Sequence, residues 1–599
     1  NPHAHSRIGK LRKLGNPNCA MEVTSMQRTQ HWWQEAVVYQ VYPRSFADAN
    51  GDGIGDIKGI RSRVNHLATL GVDALWLSPH YVSPMLDAGY DVANYRDVDP
   101  IFGNLEDLQG LINDLHAVGI KMFIDIVPNH TSWEHAWFKE ALAHPPVNDP
   151  SVPALTRYAE GPWARYHLLR GRDGGKTEPN QWPSVFGGLT WHEVSDADGK
   201  PSGWWYLHIF DKSQPDLNWT NPEVRTEFLG HLRFWFDMGV DGFRIDVAHG
   251  LAKKEGYPDF TKPKPKDPTN HVAYWDQDPV HEIWREWRTV ADEYDPPRVF
   301  VAEAWVGPAE RNAMYMREDE LHTGFNFPYL VAAWNGEALR RVINESLHGN
   351  FLVGAPTTWV LENHDVWRAV TRYAPLASGE EASSLDANLD ISKSANWTEP
   401  RDLVVGEARA RAAMLTMLAL PGTAYMYQGQ ELGLDEVFDI PDAMRQDPAF
   451  ATTGGENLGR DGCRVPLPWD NSSDTFGFNS GSQSWLPQPA RWASKTAQAQ
   501  DGDANSCLNM SRTALKLRKE LAALGGISSD TQDLVWDETP KDIVSFVRPE
   551  RLGGKAVRNV MNMGTKSYKL PAGEILLTSG ADAVVDGELA PNATAWLIA

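Results

Sequence analysis

The chain has 599 residues, 42% hydrophobic and 23% charged, with a formal net charge of −23. That acidity excludes non-specific attraction to nucleic acid or anionic lipid, which needs basic clusters, and no apolar run approaches the roughly 18 residues of a membrane span. Three cysteines, Cys19, Cys463 and Cys507, without C-x-x-C spacing, argue against a disulfide framework and a zinc site.

Residues 1–31 carry Arg7, Lys10, Arg12, Lys13 and Arg28 but no apolar core of a secretory signal. They read as a disordered leader or an appended extension, and the expected location is cytoplasmic. Ala36 to Tyr42 is a first strand. It leads into Asp48-Ala-Asn50-Gly-Asp52-Gly-Ile54-Gly-Asp56, with oxygen-bearing side chains at positions 1, 3, 5 and 9 and the Ile54 carbonyl at position 7. Such a loop either encloses a hard cation, Ca²⁺ or Mg²⁺, or is a solvated Asx/Gly turn; Gly59, where an EF-hand needs a bidentate Glu, rules that motif out. Ile57 to Leu70 reads as helix, Val72 to Ser78 as the second strand, Leu105 to Val118 as helix and Lys121 to His130 as the third strand.

Thr131 to Ser213 is rich in Pro, Gly and Trp, has no long periodic helix, and is too long for a connection, so a small inserted domain is expected. Alternation then resumes. An amphipathic helix, Val224 to Asp237, stops at Gly239 before the strand ending at Asp246, and a Lys/Pro-rich loop (Leu251 to Asp278) and a helix (Val280 to Tyr294) precede the strand ending at Glu303. His322 to Phe327 and Thr357 to Leu361 read as strands six and seven. A polar loop (377–400), a helix (Glu407 to Leu420), strand eight (Ala424 to Gln428), a Gly/Pro/Asn-rich stretch (Glu431 to Asn505) and a closing helix (Ser506 to Leu524) follow. Alternating strand and helix predicts an α/β fold, a (β/α)8 TIM barrel built from 32–130 and 214–524. The insertion is 131–213, and short strands from Leu534 onward predict a C-terminal antiparallel β-sandwich over 525–599.

The chemistry gathers at strand ends. Arg244 and Asp246, two apart on a strand, project to one side, where the cation favours an ionised carboxylate. Alone, such a pair is usually structural. Glu303, His364-Asp365 and Asn129-His130 close three further apolar runs, however, and the C-terminal strand ends are where an α/β barrel keeps its active site.

These four segments resemble the signature regions of the α-amylase superfamily, glycoside hydrolase family 13, and most closely its α-glucosidase and oligo-1,6-glucosidase branch, from about Trp32 to the end. The resemblance implies a retaining, exo-acting α-glucosidase working through a covalent β-glucosyl-enzyme, with maltose, isomaltose or short oligosaccharides as substrates and no organic cofactor. It makes Asp246 the nucleophile, Glu303 the general acid/base and Asp365 the transition-state stabiliser. Crowding and burial are expected to raise the Glu303 pKa. Tyr90, Asp91, His130, Arg244 and His364 are the implied sugar contacts. Arg460, in Gly459-Arg-Asp-Gly-Cys-Arg464, is expected to close the pocket with Asp91, and Arg464 is the lesser claimant. Phe186 is either a pocket wall or a packing residue. The Asp48–Asp56 loop matches the family's calcium loop, which implies structural Ca²⁺. Val247 and Gln214, in Gln214-Pro-Asp-Leu-Asn218, resemble α-1,6-acting members, whereas Val280 to Trp287 resembles maltose-active ones, so the linkage stays open. Transglucosylation, a trehalose-synthase or sucrose-isomerase type activity, and a non-catalytic family member are the competing readings.

Overall fold

Eight short, almost wholly buried strands form one parallel sheet: β1 (Val37–Val41), β2 (Ala74–Leu77), β3 (Lys121–Ile126), β4 (Gly242–Ile245), β5 (Val299–Ala302), β6 (Thr323–Gly324), β7 (Thr358–Val360) and β8 (Thr423–Tyr427). The computed structural model describes residues 31–260, 272–381, 399–525 and 533–599. The leader expected over 1–31 lies outside the described residues except for His31, as do 261–271 and 382–398 of the two expected polar loops.

Neighbours run in the order β6-β5-β4-β3-β2-β1-β8-β7, and the end strands meet where the Thr358 hydroxyl donates to the Gly324 carbonyl. The arrangement is a (β/α)8 barrel. Burial on both faces explains why the strands read as continuous apolar runs. Trp76, Phe123, Val301, Val360 and Tyr425 pack together in one cluster. Their neighbours Leu75, Leu77, Ile124, Phe243, Ile245 and Phe300 belong to the large second cluster that includes the helices. β4 starts on a glycine because a Cβ at Gly242 would stand 2.4 Å from the Val299 carbonyl oxygen and 2.6 Å from the Phe123 ring.

Local signals set the helix ends. Pro222–Asp237 has proline in its first turn, and the Asn221 side chain accepts from the Glu223 amide. Past its end Gly239 takes a φ of +101°, the left-handed conformation that lets the chain turn into β4. Leu403–Ala419 is capped by Asp402 and buried around most of its second half. That half is buried all round because it packs against the barrel and also the C-terminal sheet, where Thr416 meets Asn559 and Thr594.

Two expectations are corrected. Ile57 to Leu70 is two helices, Ile57–Ser62 and Val64–Leu70, with a break at Arg63. His322 to Phe327 is strand only at Thr323–Gly324; Asn326 then caps a helical turn, Phe327–Leu330, which Pro328 starts.

The insertion carries a three-stranded antiparallel sheet with Pro201–Leu207 between Leu168–Arg170 and Trp191–Ser195. It rejoins the barrel through Leu217, whose amide donates to the Asn129 carbonyl at 2.9 Å. At the C-terminus a five-stranded antiparallel sheet, with Val557–Asn562 paired to Ile543–Arg548 and Ala593–Ile598, is accompanied by a smaller three-stranded one. No helix among the described residues is long and apolar enough to cross a membrane.

Candidate active site

The barrel ladder continues past the strands and fixes the residues that follow them. The Asp246 amide donates to Ile126 O and the Glu303 amide to Ile245 O, both at 2.9 Å, and Ala248 donates back to Glu303 O at 2.8 Å. Between them Val247 is held at a φ of +47°. That is costly for a β-branched residue, by about 1–3 kcal/mol, and such strain concentrates at functional sites. The turn aims the Val247 amide at Glu303 Oε2, 3.1 Å away.

Register places Asp125 opposite Arg244 across the β3–β4 ladder, and Arg244 ties three carboxyls together. Its Nη1 donates to Asp246 Oδ1 at 2.7 Å and to Asp125 Oδ1 at 3.0 Å, and its Nη2 donates to Glu303 Oε2 at 2.6 Å. The one guanidinium thus holds the Asp246 and Glu303 carboxyls side by side. The charge balance differs from expectation. Burial drives the Asp246 carboxyl well above its ordinary range, because the pull of Arg244 is opposed by Glu303 and Asp125. Burial likewise pushes Asp125 up to about 7 against Arg244. One arginine does not offset the burial of these carboxyls, and both Asp246 and Asp125 rise. The expectation of a proton held on Glu303 meets three N–H donors at that residue: Arg244, the Val247 amide and Trp305 Nε1, which donates to Oε1 at 3.1 Å.

Asp365 sits on the other side of the cavity. Its Oδ1 accepts from Arg460 and Arg464, both at 3.0 Å. Burial raises its pKa, but His364 and these two guanidiniums outweigh burial and leave it well below the usual carboxylate range. Burial keeps His364 itself neutral, so the arginines carry that effect. The His364 ring stacks on Tyr90 with centroids 5.3 Å apart and an 8° interplanar angle, and the Tyr90 hydroxyl lies 2.6 Å from its Nε2 and 3.1 Å from Asp125 Oδ2. His130, neutral with its pKa lowered by burial to about 4, lies against the Tyr90 carbonyl at 3.1 Å and Gln214 at 3.2 Å.

Asp91 is displaced from its expected role. Both its oxygens are consumed locally: Oδ1 accepts from the Ser83 hydroxyl and the Asp87 amide, and Oδ2 from the Leu86 amide. The carboxylate that meets Arg460 is Asp87, whose Oδ1 lies 2.9 Å from Nη2, while Gln214 Nε2 steadies its other oxygen at 3.0 Å. The cause is a tight turn. Tyr90 N bonds back to Asp87 O, with φ of +52° at Ala88 and +102° at Gly89, which leaves Asp87 on the cavity and folds Asp91 under the loop. Asp447, from the Gly/Pro/Asn-rich stretch, grips the Arg460 Nε at 2.5 Å, and the Phe186 ring stands 5.7 Å from its guanidinium carbon. The reading from residues missed Asp87, Asp125 and Asp447. Only Asp125 left a signal, a charge inside an otherwise apolar strand.

The Asp48–Asp56 loop wraps on its own amides. Asp48 accepts from Gly51 and Gly53, Asn50 from Asp52, Asp52 from Ile54, and Asp56 from Ala49, Asn50 and Gly59. Among the described residues no three His, Cys, Asp or Glu side chains converge as a ready cage. Asp48 and Asp56 are nevertheless buried, and among the described residues neither forms an ion pair with a Lys or Arg. An all-oxygen donor set holding two uncompensated buried carboxylates fits a hard cation and not zinc.

Comparison with known proteins agrees with the fold. The α-amylase catalytic-domain family model matches residues 40–525. The oligo-1,6-glucosidase of Parageobacillus thermoglucosidasius is 33% identical over 575 residues, 90% of this chain and 92% of that protein. The structure is similar to the α-glucosyl transfer enzyme XgtA, with a TM-score of 0.76 and 33% identity over 94% of this chain and 99% of that one. It is also similar to the isomaltulose synthase SmuA of Protaminobacter rubrum, with a TM-score of 0.77 and 28% identity over 95% and 99%. A barrel with these strand-end carboxyls and a family match spanning most of its length leads to one statement: the chain belongs to the α-amylase family, glycoside hydrolase family 13, and is a glycoside hydrolase.

Proposed function

We propose that this enzyme is a retaining, exo-acting α-glucosidase that releases terminal α-glucose from short α-1,4 or α-1,6 glucosides. One observation carries the reading: the Asp246 and Glu303 carboxyls are held side by side on one guanidinium, at 2.7 and 2.6 Å from Arg244. Inverting enzymes hold their carboxyls about 6.5–9.5 Å apart to admit water between carboxylate and sugar, and retaining enzymes hold them closer. In the reaction Glu303 gives its proton to the glycosidic oxygen, the C1–O bond breaks, and Asp246 bonds to C1 from the opposite face. Water then passes a proton to Glu303 while its oxygen displaces Asp246 from C1. Catalysis needs Asp246 ionised and Glu303 protonated, and burial, which raises Asp246, works against the first of these. Asp365, its charge held by two arginines, stabilises the oxocarbenium-like state.

The salt bridge of Asp87 with Arg460, fixed by Asp447 and flanked by Phe186, supports a closed far end that admits one terminal glucose. Tyr90, His130, Arg244 and His364 line the same sugar position. The loop residues Asp48, Asn50, Asp52, Ile54 and Asp56 would hold a structural Ca²⁺ or Mg²⁺ remote from the chemistry.

A second reading is favoured by the solved structures: a glucosyl-transfer enzyme and an isomaltulose synthase share this fold over nearly the whole chain. The same covalent intermediate can be taken by a sugar hydroxyl instead of water. A time course of products from maltose, isomaltose, sucrose and trehalose decides between them. Free glucose in step with substrate loss is expected; an isomeric disaccharide with little free glucose would replace the hydrolase reading with the isomerase one.

A further inference from the structure

Glu303 accepts hydrogen bonds from three fixed N–H donors. Its Oε2 accepts from Arg244 Nη2 at 2.6 Å and from the Val247 amide at 3.1 Å, while its Oε1 accepts from Trp305 Nε1 at 3.1 Å. A guanidinium, a backbone amide and an indole N–H have no lone pair to accept a proton, so each of these three contacts favours the carboxylate form. The two oxygens are not equivalent. Oε2 is engaged by two N–H donors on the Arg244 side, whereas Oε1 has one, Trp305. Trp305 is half-buried and its ring lies face to face on Phe327, with centroids 3.3 Å apart and planes within 16°. Phe327 is buried in the turn that Asn326 caps and Pro328 starts. The indole is therefore clamped in plane, and its N–H direction is set by the scaffold.

We propose that Trp305 is a positioning residue: its indole N–H makes Glu303 Oε1 the oxygen that delivers the proton and makes Glu303 a stronger acid. The inference rests on the glucosidase reading above. With Oε2 occupied by two donors, the proton passes from Oε1 to the glycosidic oxygen as the C1–O bond breaks. Negative charge then grows on the oxygen that faces the indole. The N–H···O bond tightens as the proton leaves, so it is stronger in the transition state than in the ground state, which is the condition for accelerating the step.

The test is Trp305→Phe, which keeps a ring on Phe327 and removes the donor. Losing a donor to the carboxylate form raises the pKa of the acid. The alkaline limb of kcat/KM for maltose or isomaltose should therefore move to higher pH, by about 0.5–1 unit. The rate on these disaccharides should fall by about tenfold or more, while an aryl α-glucoside whose leaving group needs no proton keeps its rate of enzyme glucosylation within about twofold. A folded variant whose alkaline limb stays where the wild type has it, or whose loss is equal on both substrates, overturns the proposal, because a packing role moves neither the limb nor the ratio. If the phenylalanine variant does not fold, benzothienylalanine at position 305, which has sulfur in place of N–H in the same outline, is read for the same limb shift. The wild type separates the two failures. No turnover of any α-glucoside removes the glucosidase reading itself, whereas normal turnover with an unmoved limb removes only the role of Trp305.

Discussion

Arg244 is the residue on which the site's electrostatics turn, since it alone reaches Asp125, Asp246 and Glu303. Its position beside Asp246 was legible in the sequence, because two residues apart on a strand share a face. Which carboxyl carries a proton was not legible. That depends on how completely three strand ends exclude water, and burial outweighs the one cation. Asp87 and Asp91 make the same point about geometry. Both are acidic and flank Tyr90, and only the turn through Ala88 and Gly89 decides that one faces Arg460 while the other caps loop amides. This yields a paired expectation. Asp87→Asn removes a charge from the cavity wall and should lower kcat/KM on a disaccharide by about 10²–10³-fold with little change in melting temperature, as befits lost charged hydrogen bonds to substrate. Asp91→Asn removes one local acceptor and should cost about 1–3 kcal/mol of stability while kcat in the folded fraction is kept. Steady-state kinetics and thermal unfolding of both variants check this, and the reverse pattern would return the sugar contact to Asp91.

At the scale of elements, the strands whose ends carry chemistry were the easiest to read, because β-branched runs buried on both faces leave no other pattern. β6 was the hardest. Two residues of strand followed by Asn326-Phe-Pro328 look like a longer strand until the cap and the proline are allowed to start a helix. The proposed role of the Asp48–Asp56 loop rests on two buried carboxylates that pair with no Lys or Arg among the described residues. Here the expectation is thermodynamic: adding millimolar Ca²⁺ to chelator-treated protein should raise the melting temperature by several degrees, as binding to the folded state requires, and Asp52→Ala should abolish that increment. Mg²⁺ in place of Ca²⁺ distinguishes the ions. Identical melting curves with and without either ion would assign the loop to its Asx turns alone.

For the whole molecule, the barrel, the insertion after β3 and the β-rich C-terminus were all foreseen from where periodicity changes along the chain. What could not be foreseen is how they lean on one another. The helix Leu403–Ala419 owes the apolar run of its second half, Ala412 to Ala419, to serving two cores. Arg548, from the C-terminal sheet, donates at 2.8 Å to Ala419 O, the last carbonyl of that helix. The insertion brings the Phe186 ring to 5.7 Å from the guanidinium carbon of Arg460, which follows β8. The proposed bond between Asp246 and a bound glucose is tested most directly by trapping. Treating the enzyme with a 5-fluoro-α-glucosyl fluoride and mapping the labelled peptide should place the sugar on Asp246, with α-glucose as the first-formed anomer from natural substrate. A label on any other residue, or β-glucose as the first product, would contradict it.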